Sequence, residues 1–309
     1  MMMRNPAAEY GKALLELAKS DRNVVALDAD LCKSTMSVNI ENELPAQYVE
    51  MGIAEQNMVA TAAGLAAAGK IPFCHSFAVF AAGRAFDQTR QAVCLPKLNV
   101  KIIGSSAGLS DFGDGATHQT VEDIAIMRAL PNMTVVVPAD GLQTAKAVKA
   151  AYDWDGPVYL RLTRNELADV SSESDGFEIG KAYVLREGGD MTIFACGITV
   201  AMALEAAGQL QKQGIGACVV NVPTIKPLDV DTIVVKAMQT GRVLVCEEHS
   251  VIGGLGEAVA GALRRHRVEI EFLGIEDEFG QSSNELEPLL ERYGMTARNI
   301  MNKARTFQF

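Results

Sequence analysis

Two α/β domains, each built on a parallel sheet with helices on both faces, are what this sequence predicts. Short β-branched runs alternate with longer Ala-rich stretches, and one polar, aperiodic segment divides that pattern in two. The chain has 309 residues, 49% apolar and 21% charged, which is ample for a buried core and long for a single compact unit. Asn5 and Pro6 predict the cap and first turn of a helix reaching Ser20. The first strand follows at 23–27. Further strands fall near 71–75, 100–103, 134–137 and 158–160, with helices at 56–68, 82–93, 121–129 and 142–151 between them. From 165 to 181 the chain turns polar and acidic, which sets the boundary between a first domain, 1–168, and a second, 169–309. The second repeats the alternation, with strands at 191–195, 217–220, 243–246 and 271–273 and helices at 200–212, 230–238 and 256–264.

A net charge of -10, with no local basic stripe, disfavours a nucleic-acid partner. No run is long and apolar enough for a membrane span, and the N-terminus has no secretory pattern. The six cysteines form no CxxC pair and several sit inside apolar runs, so they read as reduced, buried thiols of a cytoplasmic protein. The four histidines lack the spacing of a zinc site.

Three segments carry chemistry. Met51-Gly52-Ile53-Ala54-Glu55-Gln56-Asn57-Met58 sets a carboxylate in an apolar turn ahead of a helix. Glu55 there is either a helix-start charge favoured by the N-terminal dipole or a functional carboxyl group. In a partly apolar site, desolvation would favour a protonated form able to donate a hydrogen bond. Pro72 to Phe80 ends a strand and opens a helix, with Phe77 and Phe80 three apart on one helical face, as core residues or as an aromatic site. Gly104 to His118 is a glycine-rich loop between a strand and a helix that holds Asp114 and His118 four positions apart, and loops at the carboxyl ends of parallel strands are where such folds bind ligands.

With Asp28-Ala29-Asp30-Leu31-Cys32-Lys33-Ser34, Asp114-Gly115-Ala116-Thr117-His118-Gln119 and Pro131-Asn132-Met133 leading to Pro138-Ala139-Asp140, these segments resemble, in the same order, the transketolase family over essentially the whole chain. The second half, with Glu247-Glu248-His249-Ser250 and Gly253-Gly254-Leu255-Gly256, is similar to the family's C-terminal domain. The resemblance implies thiamine diphosphate as cofactor. It also implies the pyrimidine-binding half of an enzyme split into two polypeptides, because the N-terminal domain that holds the diphosphate and its divalent metal (Mg or Ca) has no counterpart here. Gly113-Asp114-Gly115 is not that domain's GDG motif, since it matches the substrate-side loop. The partner would be the N-terminal subunit in an α2β2 assembly, with this chain inactive alone and carrying an exposed apolar interface.

By the same resemblance Glu55 bonds to N1′ of the cofactor's aminopyrimidine, and Phe77 and Phe80 surround that ring, Phe80 being the stacker. Asp30 lies near the thiazolium side, its alternative being a solvated strand-end carboxylate. Asp114 and His118 contact the donor's hydroxyls and reacting oxygen. Ser34 and Arg164 form a sugar-phosphate clamp, with Arg4 as a third member or else a plain surface arginine. The implied reaction passes a two-carbon ketol unit from a ketose or its phosphate to an aldose. Two departures bear on substrate choice: an aromatic expected three residues after Phe80 is Gly83, and a second histidine expected near Ser105 or Ser106 is missing. The rival readings are the β subunit of a 2-oxoacid dehydrogenase, a deoxyxylulose phosphate synthase-like enzyme, and a non-catalytic nucleotide-binding or scaffold protein. Gly254-Leu255-Gly256 lacks the third glycine of a dinucleotide fingerprint.

Overall fold

A computed structural model describes residues 2–307. Its larger sheet has seven strands in the order Thr224–Lys226, Thr134–Val136, Val158–Arg161, Lys101–Ser105, Ile71–Phe77, Val24–Asp28 and Tyr48–Glu50. All neighbours pair in parallel except Thr224–Lys226, which runs antiparallel to Thr134–Val136. The smaller sheet orders Glu269–Ile275, Arg242–Ser250, Met191–Ala195, Ala217–Asn221 and Tyr183–Arg186, the last of these antiparallel. Both sheets are therefore parallel with one antiparallel edge strand. The Thr224–Lys226 edge strand crosses from the second half of the sequence into the first half's sheet.

Side chains alternate between faces as the two-residue period of a strand requires. Along Val24–Asp28, Val25 and Leu27 enter one core cluster while Val24 and Ala26 enter another, and Ile102 and Ile103 divide the same way. The first of these clusters is shared, since Phe194, Val220 and Val245 of the smaller sheet join Leu27, Cys74 and Ile102 of the larger. One continuous apolar layer thus holds the two sheets together. Apart from the one near 271–273, the runs read as strands in sequence are largely buried on both faces, which is why they read as apolar stretches.

Helix Pro6–Ser20 begins as expected: Asn5 accepts from the Ala8 N–H at 3.1 Å and Pro6 occupies the first turn. The helix predicted at 82–93 is replaced by three short pieces. Val79–Arg84 and Thr89–Cys94 are π-helical turns on either side of Phe86–Gln88. The helix predicted from 121 starts at Asp123.

Lys101 is fully buried in the larger sheet, its ammonium donating to the carbonyls of Trp154 at 2.6 Å and Gly156 at 2.9 Å. Burial pushes its pKa down from 10.5 to about 7, and Asp155 offsets this only in part. Between those two values the unfolded chain holds a proton that the folded chain has shed. Lys101 therefore costs most stability below pH 7, and the cost is relieved as pH rises toward 10.5. Urea unfolding of the wild type and of Lys101→Met, followed from pH 7 to 9, should show the wild type gaining on the variant by up to about 1.4 kcal/mol per pH unit. The carbonyls that Lys101→Met leaves unpaired add an offset without a slope, so parallel curves would contradict the assignment.

Candidate active site

Every candidate side chain but Arg4 lies where a strand of the larger sheet gives way to a loop at its carboxyl end. Asp30 and Ser34 follow Val24–Asp28; Glu55 follows Tyr48–Glu50; Phe77 and Phe80 end and follow Ile71–Phe77; Asp114 and His118 follow Lys101–Ser105; Arg164 follows Val158–Arg161. These five strands are contiguous in the sheet and mutually parallel, so the loops converge on one rim. Such a rim is the usual ligand crevice of a parallel α/β sheet.

Glu55 is the first residue of helix Glu55–Ala67 and is 1% exposed. No side chain caps that helix, so the carboxylate stands at an uncapped helix N-terminus. The turn ahead of it needs a left-handed residue, supplied by Gly52 at φ +68°. The site is not apolar. Arg84 donates through Nη1 to both Glu55 oxygens at 2.9 Å, with its guanidinium 4.5 Å above the centre of the Phe80 ring.

Phe77 and Phe80 do not share a helix, since Phe77 is the last residue of a strand and Phe80 lies in the π turn. Their rings nevertheless stack, 6.3 Å apart and 16° from parallel. His118 stands edge-on to both, 5.3 Å from Phe80 and 6.3 Å from Phe77, and its Nδ1 shares a 2.9 Å hydrogen bond with Thr117. Glu55, Phe77, Phe80 and His118 thus form one cluster, joined through Arg84. Gly83 is exposed on this face, and a Cβ built there meets nothing within 4 Å, so packing does not forbid a larger residue.

The glycine-rich loop is largely buried rather than a surface excursion. Ser106, Gly108 and Gly115 take positive φ to turn it, and the Leu109 N–H donates to Glu248 of the smaller sheet at 3.0 Å. Asp114 and His118 flank a short 3-10 turn, Gly115–Thr117, on its exposed side. Asp111, 1% exposed, accepts from Arg164 Nη1 at 3.1 Å, while its second oxygen has no protein partner. Burial pushes the Asp111 carboxyl up, against the pull of Arg164. Arg164 itself remains half-exposed.

The remaining candidates are held by partners of their own. Arg4 bonds to Asp169 at 2.9 Å, and its strand pairs with Leu167–Ala168, three positions beyond Arg164. The Asn5 side chain closes the gap by donating to the Arg164 carbonyl at 3.0 Å. Asp30 is exposed, at φ 63°, with its N–H held by Glu50 at 3.0 Å. Ser34 sits in the short helix Cys32–Thr35, a segment pinned by buried Asp28, which accepts from Leu31 N–H, Thr35 and Ser37 at 2.6 to 2.8 Å. Sequence reasoning missed Arg84, Asp111, Glu50 and Asp28. Asp28 alone carried a signal, as a carboxylate ending an otherwise apolar strand.

The model of the transketolase pyrimidine binding domain matches residues 5–169, and that of the transketolase C-terminal domain matches 180–300. This chain belongs to the transketolase family. A 6-deoxy-6-sulfo-D-fructose transketolase subunit (SqwH) from Clostridium sp. (strain MSTE9) is 46% identical over 296 residues, 96% of this chain and 92% of that protein. One of the subunits of an apulose-4-phosphate transketolase from Phocaeicola vulgatus is 41% identical over 300 residues, 96% of this chain and 96% of that protein. A solved structure described as a split gene transketolase, inactive beta4 tetramer, superposes with a TM-score of 0.90 at 48% identity and covers 97% of each chain. The transketolase of Campylobacter jejuni, at 25% identity and TM-score 0.84, is spanned over 47% of its length by 99% of this chain. The split-gene relatives are covered over nearly their whole length by this chain. Among the described residues, no helix is long and apolar enough to cross a membrane. All six cysteines are free and five are buried.

Proposed function

We propose that this chain is the pyrimidine-binding subunit of a two-chain, thiamine diphosphate-dependent transketolase, with residues 1–168 as the cofactor-facing domain and 169–309 as the C-terminal domain. The observation that carries the reading is Glu55, buried at a helix start on the ligand rim beside Phe77, Phe80 and His118. The residues fit the aminopyrimidine half of the cofactor. The Phe80 face already accepts a flat cation, and the carboxylate beside it already takes two N–H bonds. They offer nothing comparable for the diphosphate. By the family resemblance, the diphosphate with its Mg or Ca falls to the N-terminal partner in a cytoplasmic α2β2 assembly. Exposed Ile53, two positions before Glu55, and Phe279 suit burial by such a partner.

The cofactor supplies the electron sink for breaking the carbon bond next to a ketose carbonyl. Glu55 holds and exchanges the proton at N1′ of its pyrimidine, and the Phe80 ring stacks upon that heterocycle, worth roughly 0.5 to 1.5 kcal/mol beyond burial. Asp30 lines the thiazolium side. Exposed Asp114 and half-buried His118 orient the donor's hydroxyls and reacting oxygen. Arg164, with Ser34 and Arg4, receives the anionic end of the sugar, its guanidinium keeping donors free beyond the one given to Asp111. Two relatives are named for sugars with a sulfonate or phosphate, which fits such an end. The test is to co-express the chain with its N-terminal partner and screen sugar phosphates and sulfosugars. Ketol exchange that requires both subunits and thiamine diphosphate is the expected result, and turnover of 2-oxoacids instead would reject the reading.

A further inference from the structure

Arg84 has no part in the reaction so far, yet it occupies the centre of the site. Its guanidinium lies over the Phe80 face at 4.5 Å and bonds to both oxygens of Glu55 at 2.9 Å. A flat, nitrogen-rich group that stacks on Phe80 and presents N–H donors to Glu55 duplicates the two contacts assigned above to the aminopyrimidine. One carboxylate and one ring face cannot serve both at once. We propose that Arg84 is a gating residue for the cofactor, its guanidinium standing in the seat of the pyrimidine ring and leaving before Glu55 receives it.

The local structure suits a removable occupant. Glu55 is 1% exposed and fixed at the start of a thirteen-residue helix, whereas the Arg84 side chain is 47% exposed and can swing into water. Arg84 closes the π turn Val79–Arg84, next to Gly83, whose face is open. In a π turn the added residue widens the backbone and lets a side chain point where a regular helix would not aim it, and such turns recur at functional sites. An ion pair with one half-exposed partner is weakly held, so a ligand that stacks and bonds in its place can displace it. The resting pair keeps the buried carboxylate neutralised until the second subunit brings the ligand.

This inference rests on the proposed cofactor site, and the test separates the two. The complex of this chain with its N-terminal partner is equilibrated with Mg and titrated with thiamine diphosphate by calorimetry, as wild type, Arg84→Gln and Arg84→Lys. Removing the occupant raises the fraction of sites open to the ligand, so the dissociation constant for Arg84→Gln should fall about 3- to 10-fold, in proportion to that fraction. Arg84→Lys, which keeps the charge but loses the flat fork, should fall between wild type and Arg84→Gln. Half-exposed Arg84 allows both variants to fold, and size exclusion reports their assembly. Equal affinities overturn the gate alone, and weaker binding overturns it by making Arg84 a ligand-contacting residue instead. No binding by the wild-type complex defeats the cofactor site itself.

Discussion

Glu55→Gln lowers thiamine-dependent turnover of the assembled enzyme by roughly 10²- to 10⁴-fold, the span a positioned acid–base group contributes, and leaves folding and assembly intact. Glutamine matches the shape of the buried side chain but cannot exchange a proton with a ring nitrogen. The fold loses little, because Arg84 is half-exposed and rehydrates once its partner is neutral. The lost ion pair and helix-start charge together amount to about 1 kcal/mol. Ketol-transfer rates read beside a melting curve and size exclusion separate the two effects. A Glu55→Gln complex with wild-type turnover would remove this carboxyl group from the chemistry.

Arg161→Met has the largest expected effect on stability, a loss of about 3 to 5 kcal/mol, because it strands two buried carboxylates. Arg161 is 6% exposed; its Nε donates to Asp123 at 2.9 Å and its Nη2 to the Glu248 carbonyl at 2.9 Å, with the Glu248 carboxylate 3.6 Å from Nη1. Burial alone would lower the Arg161 pKa, but Asp123 and Glu248 carry it above its ordinary value. Tyr159 adds a 2.8 Å bond to Asp123. Burial raises the Glu248 carboxyl even with the arginine present. In Arg161→Met the Glu248 carboxyl loses the arginine's pull and rises further, so the penalty is greatest at neutral pH and shrinks as acid protonates it. Urea unfolding at pH 7 and pH 5 measures this. Arg161→Met combined with Asp123→Asn and Glu248→Gln should recover part of the loss, since no charge is then left unpaired. A pH-independent loss that the triple variant does not relieve would contradict the charge argument.

The parts of this molecule legible in sequence are those whose signal is local. Strands buried on both faces read as apolar runs, and Asn5 with Pro6 announced a helix start that the Ala8 bond completes. Glu55 and the Asp114 to His118 loop were legible because each sits in a short, ordered motif. The unbroken helix at 82–93 was misread because a π turn keeps helical composition and changes only the hydrogen-bond spacing. Arg84 was missed for the same reason, its direction being set by that turn. Asp111 meets Arg164 across 53 positions and Arg161 meets Glu248 across 87, and no periodicity records such pairs. Phe77 and Phe80 were paired by a helical argument that does not apply, although a strand end followed by a π turn also brings their rings together.

Strand Thr224–Lys226 makes the two halves of the chain inseparable. Cut between residues 168 and 180, an N-terminal fragment would expose the row of unpaired peptide groups on Thr134–Val136 that this strand covers, and an open edge of that kind recruits other chains. It would also leave bare the apolar layer that Leu27, Cys74 and Ile102 share with Phe194, Val220 and Val245. A break in the chain between the two sheets therefore costs both the covered edge and the shared apolar layer.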